Sequence, residues 1–240
     1  HPAHPAHVVL VHGAWHGAWA WDPVLAPLRA AGHPVTAVDL PGADRGATLD
    51  DQAAAVAAVL SEPRHGPAVL VGHSHGGLVV QEAAARVPES VAGVVGLDAW
   101  FAPGPASFLE VVPGWMAELI EANVEELDGH PVVPVPPVEM FGIEAQALAA
   151  EVGPRLRPQP LATFTDPASG FRMSSAGILG VAVVCEPRTL PFDELGTAQG
   201  FPVRSLVSGH DATLLHPERT AAALLAAVGE VGAALADSPC

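Results

Sequence analysis

A serine flanked by glycines is the residue in this chain best placed to attack a carbonyl. Gly72-His73-Ser74-His75-Gly76 follows the apolar run Val69-Leu70-Val71, which reads as a buried strand. Leu78 to Val87 follows it, reading as helix from good helix formers such as Gln81-Glu82 and Ala83-Ala84-Ala85. A serine on so sharp a strand-to-helix turn sits in a strained backbone conformation, and the residues two before and two after it must lack a Cβ that would clash. The turn pushes the hydroxyl out of the sheet, and the N-terminus of the helix behind it supplies partial positive charge where an oxyanion would form. In an Ala/Gly-rich chain the motif alone can arise by chance. The strand before it and the helix after it are the context it requires, and Ser74 is the candidate nucleophile.

A serine hydroxyl needs a base, and the base needs a group to hold it. The chain has 12 histidines, most of them bystanders. His210 stands apart because Ser208-Gly209-His210-Asp211 follows the last expected strand and precedes the terminal helix. The plain alternative is a histidine on a surface loop. The elements that must bring Ser74 and His210 together are legible in the periodicity. Strands are predicted over 7–11, 34–40, 69–71 and 91–97, with helices over 24–31, 49–60 and 78–87 between them. Asp22-Pro23 is read as an N-cap followed by Pro at the first helical position. Alternation of this kind means parallel pairing through right-handed crossovers. From 101 to about 177 the pattern breaks into Pro-rich pieces, notably Pro131 to Pro137, between helical stretches at 108–127 and 142–152, and no strand run stands out. Strands then resume at 180–185 and 202–207, and an amphipathic helix over 217–235 closes the chain. The fold expected is α/β, a mostly parallel central sheet with helices on both faces. Its core is 1–100 and 178–240, and a mainly helical cap, 101–177, is inserted over the carboxyl edge of the sheet, where open α/β sheets bind ligands. No internal repeat is visible.

Composition narrows the function. At 240 residues the chain supports a substantial core. Its formal charge of −16 argues against nucleic acid or an anionic membrane surface as a partner. No run of 18 apolar residues lacks charge, Pro or Gly, so no membrane span is expected. Two cysteines, Cys185 and Cys240, make neither a disulfide framework nor a zinc spacing, and a reduced cytoplasm is expected. The opening His1-Pro2-Ala3-His4-Pro5-Ala6-His7 is read as a floppy or tag-like terminus rather than a metal tract. No cofactor or metal is expected, and the expected partner is a small-molecule substrate, taken by a monomer or homodimer.

With these pieces placed, residues 8–100 and 180–235 resemble the α/β-hydrolase superfamily, and within it the plant-type methylesterase and hydroxynitrile-lyase group with its bacterial relatives. The resemblance is carried by His12-Gly13-Ala14-Trp15-His16-Gly17-Ala18-Trp19, by residues 31–40 (AGHPVTAVDL), by Gly72-His73-Ser74-His75-Gly76-Gly77 and by Gly209-His210-Asp211. It implies that the base comes last in the chain, as His210 does. It also implies backbone N–H oxyanion donors at Ala14 and His75, although His12-Gly13 can equally be read as a tight turn after a strand. The lyases of the group carry Thr where this chain has Gly13, Glu where it has His73 and Lys where it has Asp211. A departing cyanide anion would be disfavoured beside Asp211, so cyanohydrin cleavage ranks low.

The acid departs from the family pattern. The resemblance places a triad Asp beyond the next-to-last strand, where this chain reads Val184-Cys185-Glu186-Pro187. Two carboxylates remain: Asp98, ending the preceding strand, and Glu186. Asp98 is preferred on strand-end geometry, with an N-cap as its alternative role. Gly13, Trp15, His16, Trp100, Phe101, Phe108, Trp115 and Met116 are candidate substrate-binding residues, the aromatics pointing to an apolar or aromatic substrate. The expected activity is hydrolysis of an ester or thioester through an acyl group on Ser74. The rival is a non-hydrolytic cyclase, lyase or isomerase using His210 as general acid/base.

Overall fold

Apolar runs that alternate with amphipathic helices bury both faces of one sheet. In the computed structural model, which describes residues 6–62 and 66–236, six parallel strands form it: β1 His7–Val11, β2 Val35–Val38, β3 Ala68–His73, β4 Val91–Leu97, β10 Gly180–Glu186 and β11 Val203–Val207. Their spatial order is β11-β10-β4-β3-β1-β2. The chain therefore runs outward from β1 in one direction to β2 and in the other to β3, and the carboxyl ends of β1 and β3 flank the point where the order reverses, the ordinary ligand crevice of such sheets.

Side chains alternate across the sheet. Val9, Val11 and Leu70 pack toward the helices α2 (Leu49–Leu60), α3 (Gly76–Arg86) and α8 (Phe192–Ala198). Val8, Leu10, Val69 and Val71 pack toward α1 (Asp22–Ala30) and the closing helix α10 (Pro217–Ala236). The helix α10 is the one described helix long and apolar enough to cross a membrane. Its Leu224, Ala227, Val228 and Val231 are buried against the sheet face. Two local readings change. Trp21, not Asp22, is the N-cap of α1, with Asp22 as its first residue. The helix α2 opens on a capping box that periodicity did not reveal, Thr48 and Asp51 exchanging side-chain-to-backbone hydrogen bonds.

Between β4 and β10 the chain leaves the sheet. Its helices are α4 (Phe108–Val111), α5 (Gly114–Ala122), α6 (Gln146–Val152) and α7 (Ala162–Thr165). The expected helix over 108–127 stops and restarts at Pro113, which N-caps α5, and ends before a strand. This region also holds strands where none was expected. The strands β6 (Glu125–Leu127), β7 (His130–Val133) and β8 (Gln159–Pro160) form a small antiparallel sheet, and β5 (Ala106–Ser107) pairs with β9 (Pro167–Ala168). Strands of two to four residues, three of them containing Pro, leave no readable alternation. A short helix, α9 (Ala212–Leu215), follows the loop that carries His210. His1, His4 and Cys240 lie outside the described residues. His7, the last of the N-terminal histidines, is buried in β1, with its Nε2 2.9 Å from Thr36 Oγ1.

Candidate active site

Three loops leave the carboxyl ends of β1, β3 and β4, and each contains a non-glycine residue held in the left-handed region: Trp15 (φ 65°), Ser74 (φ 53°) and Asp98 (φ 40°). The only other such residue among those described is Asp128, in the β6–β7 turn. Backbone strain of this kind persists where the surroundings over-determine it, and here they do. Ser74 N–H donates to Leu97 O, and Ser74 O accepts from both Gly77 N–H and Trp100 N–H. A Cβ at Gly72 would lie 2.8 Å from Gly76 O, and one at Gly76 would lie 2.5 Å from Val11 O, so neither position admits a side chain.

The base sits three strands away from the nucleophile, after β11, and faces the same cavity. His210 Nδ1 donates to Asp98 Oδ2 at 3.0 Å, and Asp98 Oδ1 accepts from Cys185 N–H at 2.7 Å. A carboxylate can only accept, so the proton of the neutral imidazole is fixed at Nδ1 and the Nε2 lone pair is left free. Burial works against ionisation of Asp98. The hydrogen bond and charge of His210, together with the Cys185 N–H, still hold its pKa below the usual carboxylate value. Phe192 stacks on His210 with an interplanar angle of 12°, and His73 Nε2 donates to the His210 carbonyl at 2.9 Å. Glu186 is turned elsewhere: its Oε1 accepts from Arg188 Nε at 2.8 Å and from Ser205 Oγ at 3.1 Å. The carboxylate that meets His210 is Asp98.

Four more histidines surround the strand ends, and their partners dictate their charge. His12 Nδ1 donates to Gly13 O and its Nε2 accepts from Leu40 N–H, a neutral ring whose pKa burial pushes down to about 4. Burial likewise brings His73 and His75 to about 4, and His75 Nε2 donates to Thr163 O. His16 differs. Its Nδ1 lies 2.8 Å from Ala14 O and its Nε2 lies 2.8 Å from Asp211 Oδ2. A carbonyl and a carboxylate are both acceptors, so both ring nitrogens carry protons and the ring is an imidazolium. Burial opposes that charge, but the adjacent Asp211 outweighs it and raises the His16 pKa, while His16 in turn lowers that of Asp211.

The cavity above Ser74 has a volume of about 320 Å³. Of the residues expected around it, Gly13, Ala14, Trp15, His16, Trp100, Phe108 and Met116 do line it. Phe101 and Trp115 do not. Phe101 is buried beneath the sheet end, edge-on to Phe201, and Trp115 is 57% exposed on the outer side of α5. The sequence reading missed the segment from Val133 to Pro137, along with Met140 and Phe141, which close the cavity from the cap. Their Pro-rich run was visible but read as punctuation. It also missed Gln159, whose Oε1 accepts from Trp15 N–H, and the Asp211–His16 pair, because neither has a local sequence signature. Among the described residues, no lysine or arginine lines the cavity. The backbone N–H groups of Ala14 and His75 donate to no described protein group, which leaves both free beside Ser74.

A parallel sheet with a strained serine after β3, and a histidine–carboxylate pair facing it from later strand ends, defines an α/β hydrolase. The profile of a family described as Alpha/beta hydrolase family matches residues 8–223, and the chain belongs to that family. It is 32% identical over 176 residues to the carbendazim hydrolyzing esterase of a Nocardioides species, a match covering 68% of this chain and 72% of that protein. It is 44% identical over 102 residues to the rice esterase PIR7B, a match covering 37% of each chain. That match, with others to plant methylesterases, bears out the resemblance read from the motifs. An extracellular α/β-hydrolase from a Paenibacillus species shares the fold with a TM-score of 0.80 at 22% identity, over 93% of this chain and 99% of that one.

Proposed function

We propose that this chain is a serine esterase that cleaves an ester or thioester of a small apolar or aromatic substrate through an acyl-enzyme on Ser74. The observation that carries this reading is the His210–Asp98 hydrogen bond, made by a histidine lining the same cavity as Ser74. His210 Nε2 takes the Ser74 proton as Oγ bonds to the carbonyl carbon, and the carbonyl π pair moves onto the oxygen. That oxyanion is held by the N–H groups of Ala14 and His75 at the start of α3. Its collapse expels the alcohol or thiol, which takes the proton from His210. Water, activated by the same histidine, then releases the acid and frees Ser74. The mostly apolar walls, with no lysine or arginine among the described residues, fit an uncharged substrate. Esterases among the chain's relatives support ester cleavage.

A rival non-hydrolytic reading would draw support from a missing acid and from a histidine beside the nucleophile without a structural partner. Asp98 hydrogen-bonds His210, and the His75 ring is turned into the cap onto Thr163 O, so neither feature supports the rival. A series of p-nitrophenyl esters and a fluorophosphonate probe, with the adduct located by mass spectrometry, tests the proposal. The expected result is ester turnover with labelling at Ser74, both abolished in Ser74→Ala without loss of fold. Full activity in that variant would sink the mechanism.

A further inference from the structure

Two successive peptides of the loop after β1 are held, the first by its carbonyl and the second at both its carbonyl and its N–H. The Gly13–Ala14 peptide, which carries the Ala14 N–H, has its carbonyl bonded by the His12 ring. In the next peptide, Ala14 O accepts from the His16 imidazolium, and Trp15 N–H donates to Gln159 Oε1 at 3.0 Å. Gln159 is itself fixed, because its Nε2 donates to Thr163 Oγ1 at 2.8 Å, and the Thr163 hydroxyl donates to Pro160 O at 2.7 Å. The Thr163 carbonyl then accepts from His75, the residue after the nucleophile. One buried cap segment thus reaches both loops that carry free N–H groups beside Ser74. His16, Asp211, Gln159, Thr163 and His75 are all at most 6% exposed. The Trp15 backbone, at φ 65°, would not keep this conformation without such restraint.

We propose that Gln159 of the cap and the His16–Asp211 ion pair are positioning residues for the oxyanion hole, gripping the Ala14–Trp15 peptide by its two ends so that Ala14 N–H stays aimed at the reacting oxygen. Asp211 keeps His16 doubly protonated, and only a doubly protonated ring can donate to Ala14 O while bonded to a carboxylate. The proposal rests on the esterase reading, because an oxyanion must form for its aim to matter. It assigns the cap a part in the chemistry beyond walling the cavity. Gln159 is not among the residues lining the cavity, so its effect on turnover passes through the groups it holds, the Trp15 N–H and the Thr163 hydroxyl.

The test compares wild type with Gln159→Met and with the double variant His16→Phe/Asp211→Leu. The double variant removes both buried charges together, so neither is stranded, and retains a ring between Trp19 and Phe141. The readouts are kcat and KM for p-nitrophenyl butyrate, the rate of fluorophosphonate labelling, and thermal unfolding. The expectation is that kcat and the labelling rate fall together by about 10- to 100-fold in folded variants. KM should stay within about threefold of wild type. Wild-type kcat in both variants, or a loss confined to KM, overturns the proposal. Should Gln159→Met fail to fold, the double variant decides by the same criteria. A wild-type chain that neither turns over esters nor labels overturns the esterase reading and this proposal with it. That outcome is distinct from an active wild type with indifferent variants.

Discussion

Two histidine–aspartate pairs stand at the carboxyl edge of this sheet, built from neighbouring residues of one loop. His210 reaches back to Asp98 just after β4, and Asp211 reaches across to His16 after β1. The first pair is open on one side, its histidine side chain 20% exposed to the cavity. The second is sealed, with side chains 3% and 1% exposed. The histidine of the open pair has one ring nitrogen bonded and one free, the requirement for carrying a proton. In the sealed pair both nitrogens are bonded to acceptors, so the ring is a fixed charge. Chemistry and scaffolding here use the same two residue types, and access to the second nitrogen separates them. The sealed pair also neutralises Asp211 locally, so the carboxylate next to His210 in sequence does not compete with Asp98 for it.

The comparison can be broken most decisively at its open half. Asp98→Asn should lower kcat by about 10⁴-fold with the fold retained. The Asn carbonyl would take the Cys185 N–H, and its amide would donate to His210 Nδ1, moving the imidazole proton to Nε2, where a lone pair is needed. Steady-state kinetics with p-nitrophenyl butyrate measures this, and a loss below about tenfold would remove Asp98 from the pair. Gly13→Ala comes next. A Cβ there would sit 3.0 Å from Ser74 Cβ and 3.2 Å from His73 O, crowding the nucleophile between two held loops. The expected cost is about tenfold or more in kcat/KM, read from the same assay.

The sealed half is sharpened by pH. His16 has a raised pKa in the folded state, so its contribution to stability is full below its unfolded value of 6.5 and is lost as pH rises through the folded value. Asp211 is lowered, so its contribution is present above 3.8 and is lost as pH falls through its folded value. His12, His73 and His75, at about 4, behave in the opposite way to His16: the unfolded chain binds their protons first, so stability falls as pH drops from 6.5 toward 4. Urea unfolding across pH should therefore show a steep decline below 6.5 in wild type. The double variant at 16 and 211 should keep that acid limb but lose the decline seen in wild type as pH rises above 6.5. The smallest effect belongs to Glu186→Gln. It removes a surface contact with Arg188 and should leave kcat/KM within about twofold of wild type.

Much of this molecule was legible before any coordinates. The strands His7–Val11 and Val91–Leu97 and the helix Leu49–Leu60 fall where their periodicity places them, because a buried strand or an amphipathic helix writes its own burial into local spacing. The Ser74 turn is legible for a related reason: only glycine fits at positions 72 and 76, and that demand is local. The cap was read poorly, since strands of two to four residues and helices of a single turn are held by tertiary partners rather than by a pattern of their own.

The sequence by itself determined that a serine would be exposed at a strand end, that a histidine would follow the last strand, and that the sheet between them would be parallel. Only the tertiary structure decided which carboxylate meets that histidine, because Asp98 and Glu186 both end neighbouring strands and the choice turns on side-chain direction across 112 residues of chain. The structure alone also decided that His16 is a cation while His12, four residues earlier, is neutral. The charge of a buried imidazole is set by what its second nitrogen touches, and for His16 that partner lies 195 residues away.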